Sequence, residues 1–215
     1  MFIRNAPQSV SKEVAKMLLE IKAIKLNQES PFTWASGWKS PIYCDNRKSL
    51  SYPNVRTYIK NVLSEEIKNT YPDVEVIAGV ATAGIPQGAL VAEVLGLPFV
   101  YVRSKPKGHG MENLIEGELK PESKVVVIED LISTGGSSLK AVEDLKKANA
   151  EVLGMAAIFT YGFGVARENF ENANVNLITL SNYSDMLNIA LDQKYILAED
   201  LKSLSAWREN PSEWG

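Results

Sequence analysis

The sequence predicts an α/β fold with a central, mainly parallel sheet flanked by helices. Short, continuous apolar runs at 74–80, 97–103, 124–130 and 151–161 have the length and composition of strands buried on both faces. Helical patterns at 87–96 and 137–150 alternate with them, as a parallel sheet requires. The run at 124–130 ends in two adjacent acids and passes at once into a turn of hydroxyls and glycines. In an open α/β sheet, that position beyond a strand's carboxyl end is where ligands bind.

The remaining elements follow in order. Val10, Val14, Met17, Leu18 and Ile21 recur at helical spacing, which predicts an amphipathic helix over about 9–23. Residues 28–50 are aromatic, polar and turn-rich, with no clean period. Pro53 opens a second helix whose buried face is Val55, Ile59, Val62, Leu63 and Ile67. The segment ATAGIP after the first core strand reads as a turn. The tail predicts a short strand near NLITL and helices around 181–190 and 196–209.

Composition bounds the function. The 215 residues suit one large domain, and 45% apolar content is enough for a real core. A net charge of −3 argues against a general nucleic-acid or membrane-surface binder, which needs a basic footprint. Cys44 is the only cysteine, so no internal disulfide can form, and a reducing cytoplasm is the expected compartment. The N-terminal residues are charged throughout and lack a signal peptide's apolar stretch, and no apolar run is long enough to span a membrane.

The chemistry concentrates in VVVIEDLISTGGSS, residues 125–138. Ser133, Thr134, Gly135, Gly136 and Ser137 offer hydroxyls and unobstructed backbone N–H groups just ahead of a helix. Orphan amides and the helix dipole favour an anion there, and glycine lets the backbone close on a phosphate. Glu129 and Asp130 repel phosphate but suit sugar hydroxyls, or a Mg²⁺ ion riding on a diphosphate. The blander alternative is a strand ending in two solvated acids before a capped helix. It leaves the coincidence of acids, hydroxyls, glycines and strand unexplained.

This stretch resembles the phosphoribosyl-diphosphate motif of type I phosphoribosyltransferases. The resemblance implies that Glu129 and Asp130 meet the ribose hydroxyls and Ser133 to Ser137 the 5-phosphate, with Leu131 and Ile132 inside the binding stretch. It does not choose the base. Two further segments narrow it. Arg103, Lys105, Lys107 and His109 gather at 103–109 in a segment rich in glycine, where a closing loop brings positive charge to a leaving diphosphate. SGWKSPIY, residues 36–43, resembles the N-terminal signature of the orotate phosphoribosyltransferases, and the order of Arg103, Lys107, His109 and Gly110 resembles their catalytic loop.

That family resemblance implies transfer of ribose 5-phosphate from phosphoribosyl diphosphate to orotate, with Mg²⁺ as cofactor, in UMP synthesis. It implies Lys107, His109 and Asp130 as catalytic residues, and Arg103 as a further diphosphate contact. It also implies Ser133 against orotate, ATAGIP as a diphosphate-facing loop, and a homodimer in which the basic loop enters the neighbour's site. Residues 1–215 would form a single phosphoribosyltransferase domain, with a core over about 51–180 and a hood from about 1–50 and 181–215. Metal contact would run through the diphosphate and ribose, with Asp130 reached through water.

Three family cations are absent, at Ala35, Ala83 and Gly162. The anionic base then needs other partners, for which Arg47, Lys39 and Lys105 are the candidates, Arg47 first. A structural ion pair is the competing role for Arg47. Two other functions share EDLISTGGS: a purine phosphoribosyltransferase, which should lack SGWKSPIY, and a non-enzymatic phosphoribosyl-diphosphate sensor, which would want a basic DNA-binding module.

Overall fold

The computed structural model describes residues 2–34, 37–105 and 114–214. Strand β1 (Ile3–Asn5) leads into helix α1 (Gln8–Glu20). Four short strands follow: β2 (Ile24–Leu26), β3 (Phe32–Thr33), β4 (Lys39–Ser40) and β5 (Ile42–Cys44). A 3₁₀ turn at Asn46–Ser51 precedes α2 (Pro53–Thr70). The core then alternates β6 (Val76–Val80), α3 (Gly84–Leu95), β7 (Phe99–Val102), the short β8 (Ile115–Glu116), β9 (Lys124–Ile132), α4 (Gly136–Lys147) and β10 (Glu151–Thr160). It closes with α5 (Gly164–Asn172), β11 (Leu177–Asn182), α6 (Tyr183–Asp192) and α7 (Asp200–Glu209).

Seven strands form one sheet in the order β1-β11-β10-β9-β6-β7-β8. All pairings in it are parallel except β7 with β8. From β6 the chain first moves outward to β7, then returns to β9 on the other side of β6 and continues to β10 and β11. The order therefore reverses between β6 and β9, the switch point where a crevice opens at the carboxyl ends.

The unbroken apolar runs are explained by two cores, one on each face. Val126 and Ile128 face the core that holds α1, α2 and α6, while Val125 and Val127 face the one beneath α4 and α5. A strand buried on both faces has no polar alternation to show. Gly84 lets α3 lie against β9, since any Cβ there would run into the Ile128 carbonyl oxygen.

Several elements differ from the sequence-based expectation. Strand β9 continues through Leu131 and Ile132, because both keep pairing with β10. Helix α3 starts at Gly84, inside the expected turn. Helix α5 was not expected; it buries only Ala166 and Phe170, too thin a stripe to register as a period. Strand β1 pairs with β11, so the main sheet takes in three residues from the segment assigned to the hood. The aperiodic 28–50 segment holds the two-stranded pair β3–β4 and β5, which pairs with β2. Strands of two or three residues are too short to display alternation.

Aromatic packing ties this segment to the tail. Trp207 of α7 is fully buried, meets Trp34 edge-on at 5.6 Å, and donates from Nε1 to the Lys39 carbonyl at 3.2 Å. Tyr161, Phe163 and Tyr183 complete the cluster, with centroids 5.0 to 5.7 Å from Trp34 or Trp207. Each such pair contributes about 0.5–1.5 kcal/mol beyond its area.

Candidate active site

Strand β9 delivers Glu129 and Asp130 to the switch point. Glu129 is only 7% exposed, and its carboxylate is held from two sides. Ser138 Oγ donates to Oε2 at 3.0 Å, and the Asp130 amide donates to Oε1 at 3.0 Å. Burial, reinforced by the neighbouring Asp130 charge, pushes Glu129 up to about 8. Burial also raises Asp130, against the opposing pull of its bond with Glu129 and of the Arg47 charge. Asn46 Nδ2 donates to the Asp130 carbonyl at 2.7 Å, fixing the strand end from the N-terminal segment. Sequence reasoning missed Asn46; its position directly after the signature strand was the available signal.

The following turn is shaped for an anion. Gly135 takes φ +81°, a left-handed conformation that favours glycine, and its missing side chain makes room for the Phe170 ring. Asn169 Nδ2 donates to the Thr134 carbonyl at 2.9 Å and anchors the turn from α5. Helix α4 begins at Gly136 with no side-chain cap, so no side chain competes for the N–H groups of its first turn. Not every residue of 129–137 turns toward the crevice. Ile132 is fully buried, and its carbonyl accepts from Thr160 Oγ1 and from the Tyr161 amide, both at 3.2 Å. Leu131, one residue earlier in the pleat, faces the other way.

Leu131 and Ser133 line a cavity of about 260 Å³ together with Thr33, Trp34, Tyr43, Cys44 and Tyr161. Flat rings on several sides suit a planar heterocycle, and Ser133 adds a hydroxyl to the same wall. The Cys44 thiol donates to Asn46 Oδ1 at 3.3 Å, and burial raises it well above its ordinary value, so it is no ready nucleophile.

Arg47 does not line this cavity. Its Nε donates to Asp45 Oδ1 at 2.6 Å, its side chain is 59% exposed, and its charge acts on Asp130 as well as on Tyr43 of the cavity wall. The pairing holds the Asp45 carboxyl below its usual range. Lys39 is better placed. Directly across the β3–β4 pair, its Nζ donates to Thr33 Oγ1 at 2.9 Å, on the cavity wall.

A second, smaller cavity of about 70 Å³ brings Arg103 and Ser137 together with Ala81, Ser104 and Lys140. Arg103 Nη1 also donates to Glu116 Oε1 at 3.2 Å, which steadies it at the end of β7. Ala81 belongs to the expected diphosphate-facing turn, whose Ala81–Thr82 peptide is cis. Lys107, His109 and Ala35 lie outside the described residues. Among the described residues no three His, Cys, Asp or Glu side chains form a metal cage. The hard carboxylate oxygens of Asp130 are of the kind Mg²⁺ accepts, at the mouth of the same crevice.

The comparisons with known proteins agree with this geometry. Residues 46–189 match the phosphoribosyl transferase domain family, to which the chain belongs. Within it, the chain is similar to orotate phosphoribosyltransferases over nearly its whole length. It is 61% identical to that of Porphyromonas gingivalis over 208 residues, covering 97% of this chain and 99% of the relative. It is 56% identical to that of Cytophaga hutchinsonii over 204 residues, 95% and 98% of the two chains. The crystal structure of orotate phosphoribosyltransferase from Aeropyrum pernix superposes with a TM-score of 0.73 at 28% identity, over 86% of this chain and 99% of that one. The particular family is therefore that of the orotate phosphoribosyltransferases.

Proposed function

We propose that the protein transfers ribose 5-phosphate from phosphoribosyl diphosphate to N1 of orotate, giving orotidine 5′-monophosphate and diphosphate for pyrimidine synthesis. The observation that carries this reading is the continuity of two subsites. Ser133 and Leu131, on the wall of the aromatic cavity, sit between the acid pair and the anion-shaped turn. A base in the cavity is thereby set beside a ribose on the acids and a phosphate on the turn.

The anomeric carbon exchanges its diphosphate bond for one to nitrogen, through a state with oxocarbenium character. Orotate is already anionic, so no strong general base is needed, and rate comes from positioning and leaving-group stabilisation. Glu129 and Asp130 accept hydrogen bonds from the ribose hydroxyls, and Asp130 opposes positive charge growing on the ring. Thr134 to Ser137 hold the 5-phosphate. Arg103, with Lys107 and His109 assigned from the sequence, meets the diphosphate. Mg²⁺ bound with that diphosphate would neutralise leaving-group charge, with Asp130 facing it through water. Lys39 meets the orotate carboxylate, in place of the family cations absent from this chain.

We further assign a cytoplasmic homodimer whose basic loops are shared between subunits. Mixing inactive Lys107→Ala and inactive Asp130→Asn proteins tests that sharing, since a heterodimer regains one intact site. Partial recovery is expected, and none after demonstrated subunit exchange would assign the loop to its own site. Acceptor choice tests the function itself: orotate should be consumed, and hypoxanthine, adenine and xanthine should not.

A further inference from the structure

We propose that the protein has a second ligand site, for a phosphate ester of mononucleotide size, in the cleft between α5 and α7 beyond the ends of β10 and β11. A cavity of about 280 Å³ lies there, just below the roughly 300–1,000 Å³ typical of small-molecule sites. Two guanidinium groups from different helices enter it, Arg167 of α5 and Arg208 of α7. Arg208 Nη1 donates to Ser184 Oγ at 2.6 Å, which steadies the side chain. The Arg167 side chain has neither an ion pair nor a hydrogen bond among the described residues, although Glu171 lines the same cavity one helical turn away. An unpaired guanidinium and an anchored one, together with the first turn of α6 at Ser184, form a convergent site for phosphate oxygens.

The rest of the wall suits a ring. Phe163 and Tyr161, almost fully buried and stacked on each other at 5.4 Å, give the cavity an apolar edge against which a heterocycle can lie. Glu171 adds an acceptor for a ring N–H. The site is distinct from the aromatic cavity at Ser133: Tyr161 is the one described residue that lines both. A ligand here would press on the ring that forms a wall of the base subsite, which links the two.

Calorimetry with uridine 5′-monophosphate as the probe tests this, on protein whose catalytic crevice is filled with orotate and diphosphate, so that no mononucleotide occupies the second cavity beforehand. One further equivalent per chain is expected, with at least tenfold weaker binding in Arg167→Ala/Arg208→Ala. The variant Arg167→Lys/Arg208→Lys, which keeps the charge, should bind within a few-fold of the parent and guards against a merely misfolded alanine variant. Uridine and inorganic phosphate should each bind at least tenfold more weakly than the nucleotide. No additional equivalent, undiminished binding by the alanine variant, or equal affinity for phosphate or uridine alone would overturn the proposal. The readout depends on the two arginines and not on turnover, so it fails or succeeds apart from the activity proposed above.

Discussion

Ser138, in the first turn of α4, donates its hydroxyl to Glu129 Oε2 at 3.0 Å, closing a link across nine residues from strand end to helix start. Glu129 is nonetheless pushed up to about 8, because its burial and the adjacent Asp130 outweigh that bond. Its proton is thus retained in the folded protein at a pH where the unfolded chain has lost it. Between about 4.5 and 8 the folded state binds more protons than the unfolded one, so stability falls as pH rises through this window. Thermal melts of the ligand-free protein should show a steeper decline from pH 5 to 8 than melts of Glu129→Gln. Parallel curves would remove Glu129 as the cause.

The same shift bears on substrate binding. Ribose hydroxyls donate to the ionised carboxylate, so binding of phosphoribosyl diphosphate should release protons near neutral pH and strengthen as pH rises from 7 toward 8. Calorimetry in buffers of differing ionisation enthalpy measures that release, and Glu129→Gln should reduce it.

Much of this site was legible in the sequence, since its parts are local. The acids, the hydroxyls and the glycines lie within one strand–turn–helix, so their adjacency in space follows from adjacency in the chain. The base cavity is different. Trp34, Tyr43 and Tyr161 reach it from β3–β5 and from the end of β10, and only the folded chain brings them together. Of the two roles the sequence left open for Arg47, only the ion pair can be placed from the fold: its 2.6 Å pairing with Asp45 is a matter of rotamer and turn geometry. Helix α5 and strand β1 escaped because each shows too few buried positions to set a period.

On the proposed function, Lys39 is the residue that carries specificity for an acidic base. Its Nζ stands 2.9 Å from Thr33 Oγ1 on the cavity wall, within reach of a carboxylate that replaces the hydroxyl as acceptor. Lys39→Ala should raise the KM for orotate by about ten- to hundredfold, the loss of one charge-assisted hydrogen bond of roughly 1.5–3 kcal/mol. The KM for phosphoribosyl diphosphate should change little. Steady-state kinetics with each substrate varied in turn separates the two; equal rises in both would assign Lys39 to the fold of the β3–β4 pair.

Far from the crevice, Gly154 of β10 accommodates Tyr71, whose Oη a Cβ at this position would strike. That hydroxyl is buried without a hydrogen-bond partner among the described residues, and burial pushes it up to about 12. Gly154→Ala should destabilise by about 1–3 kcal/mol through overpacking. Tyr71→Phe removes an unsatisfied hydroxyl and the nearest clashing atom, leaving the ring carbon and the Asn176 carbonyl oxygen still close, so alone it should be neutral or stabilising. The double variant should recover part of the loss, as residues in contact do not add. Denaturant melts of the four proteins read the coupling, and strict additivity would refute the contact.

The central claim is that one crevice joins a ribosyl donor to an acidic pyrimidine. Its most direct test follows orotate absorbance while the protein is incubated with phosphoribosyl diphosphate and Mg²⁺, with diphosphate assayed in parallel. Orotate should disappear with one diphosphate released for each molecule consumed, and Asp130→Asn should slow both together. Diphosphate release without loss of orotate, or no reaction at all by the folded protein, would contradict the account.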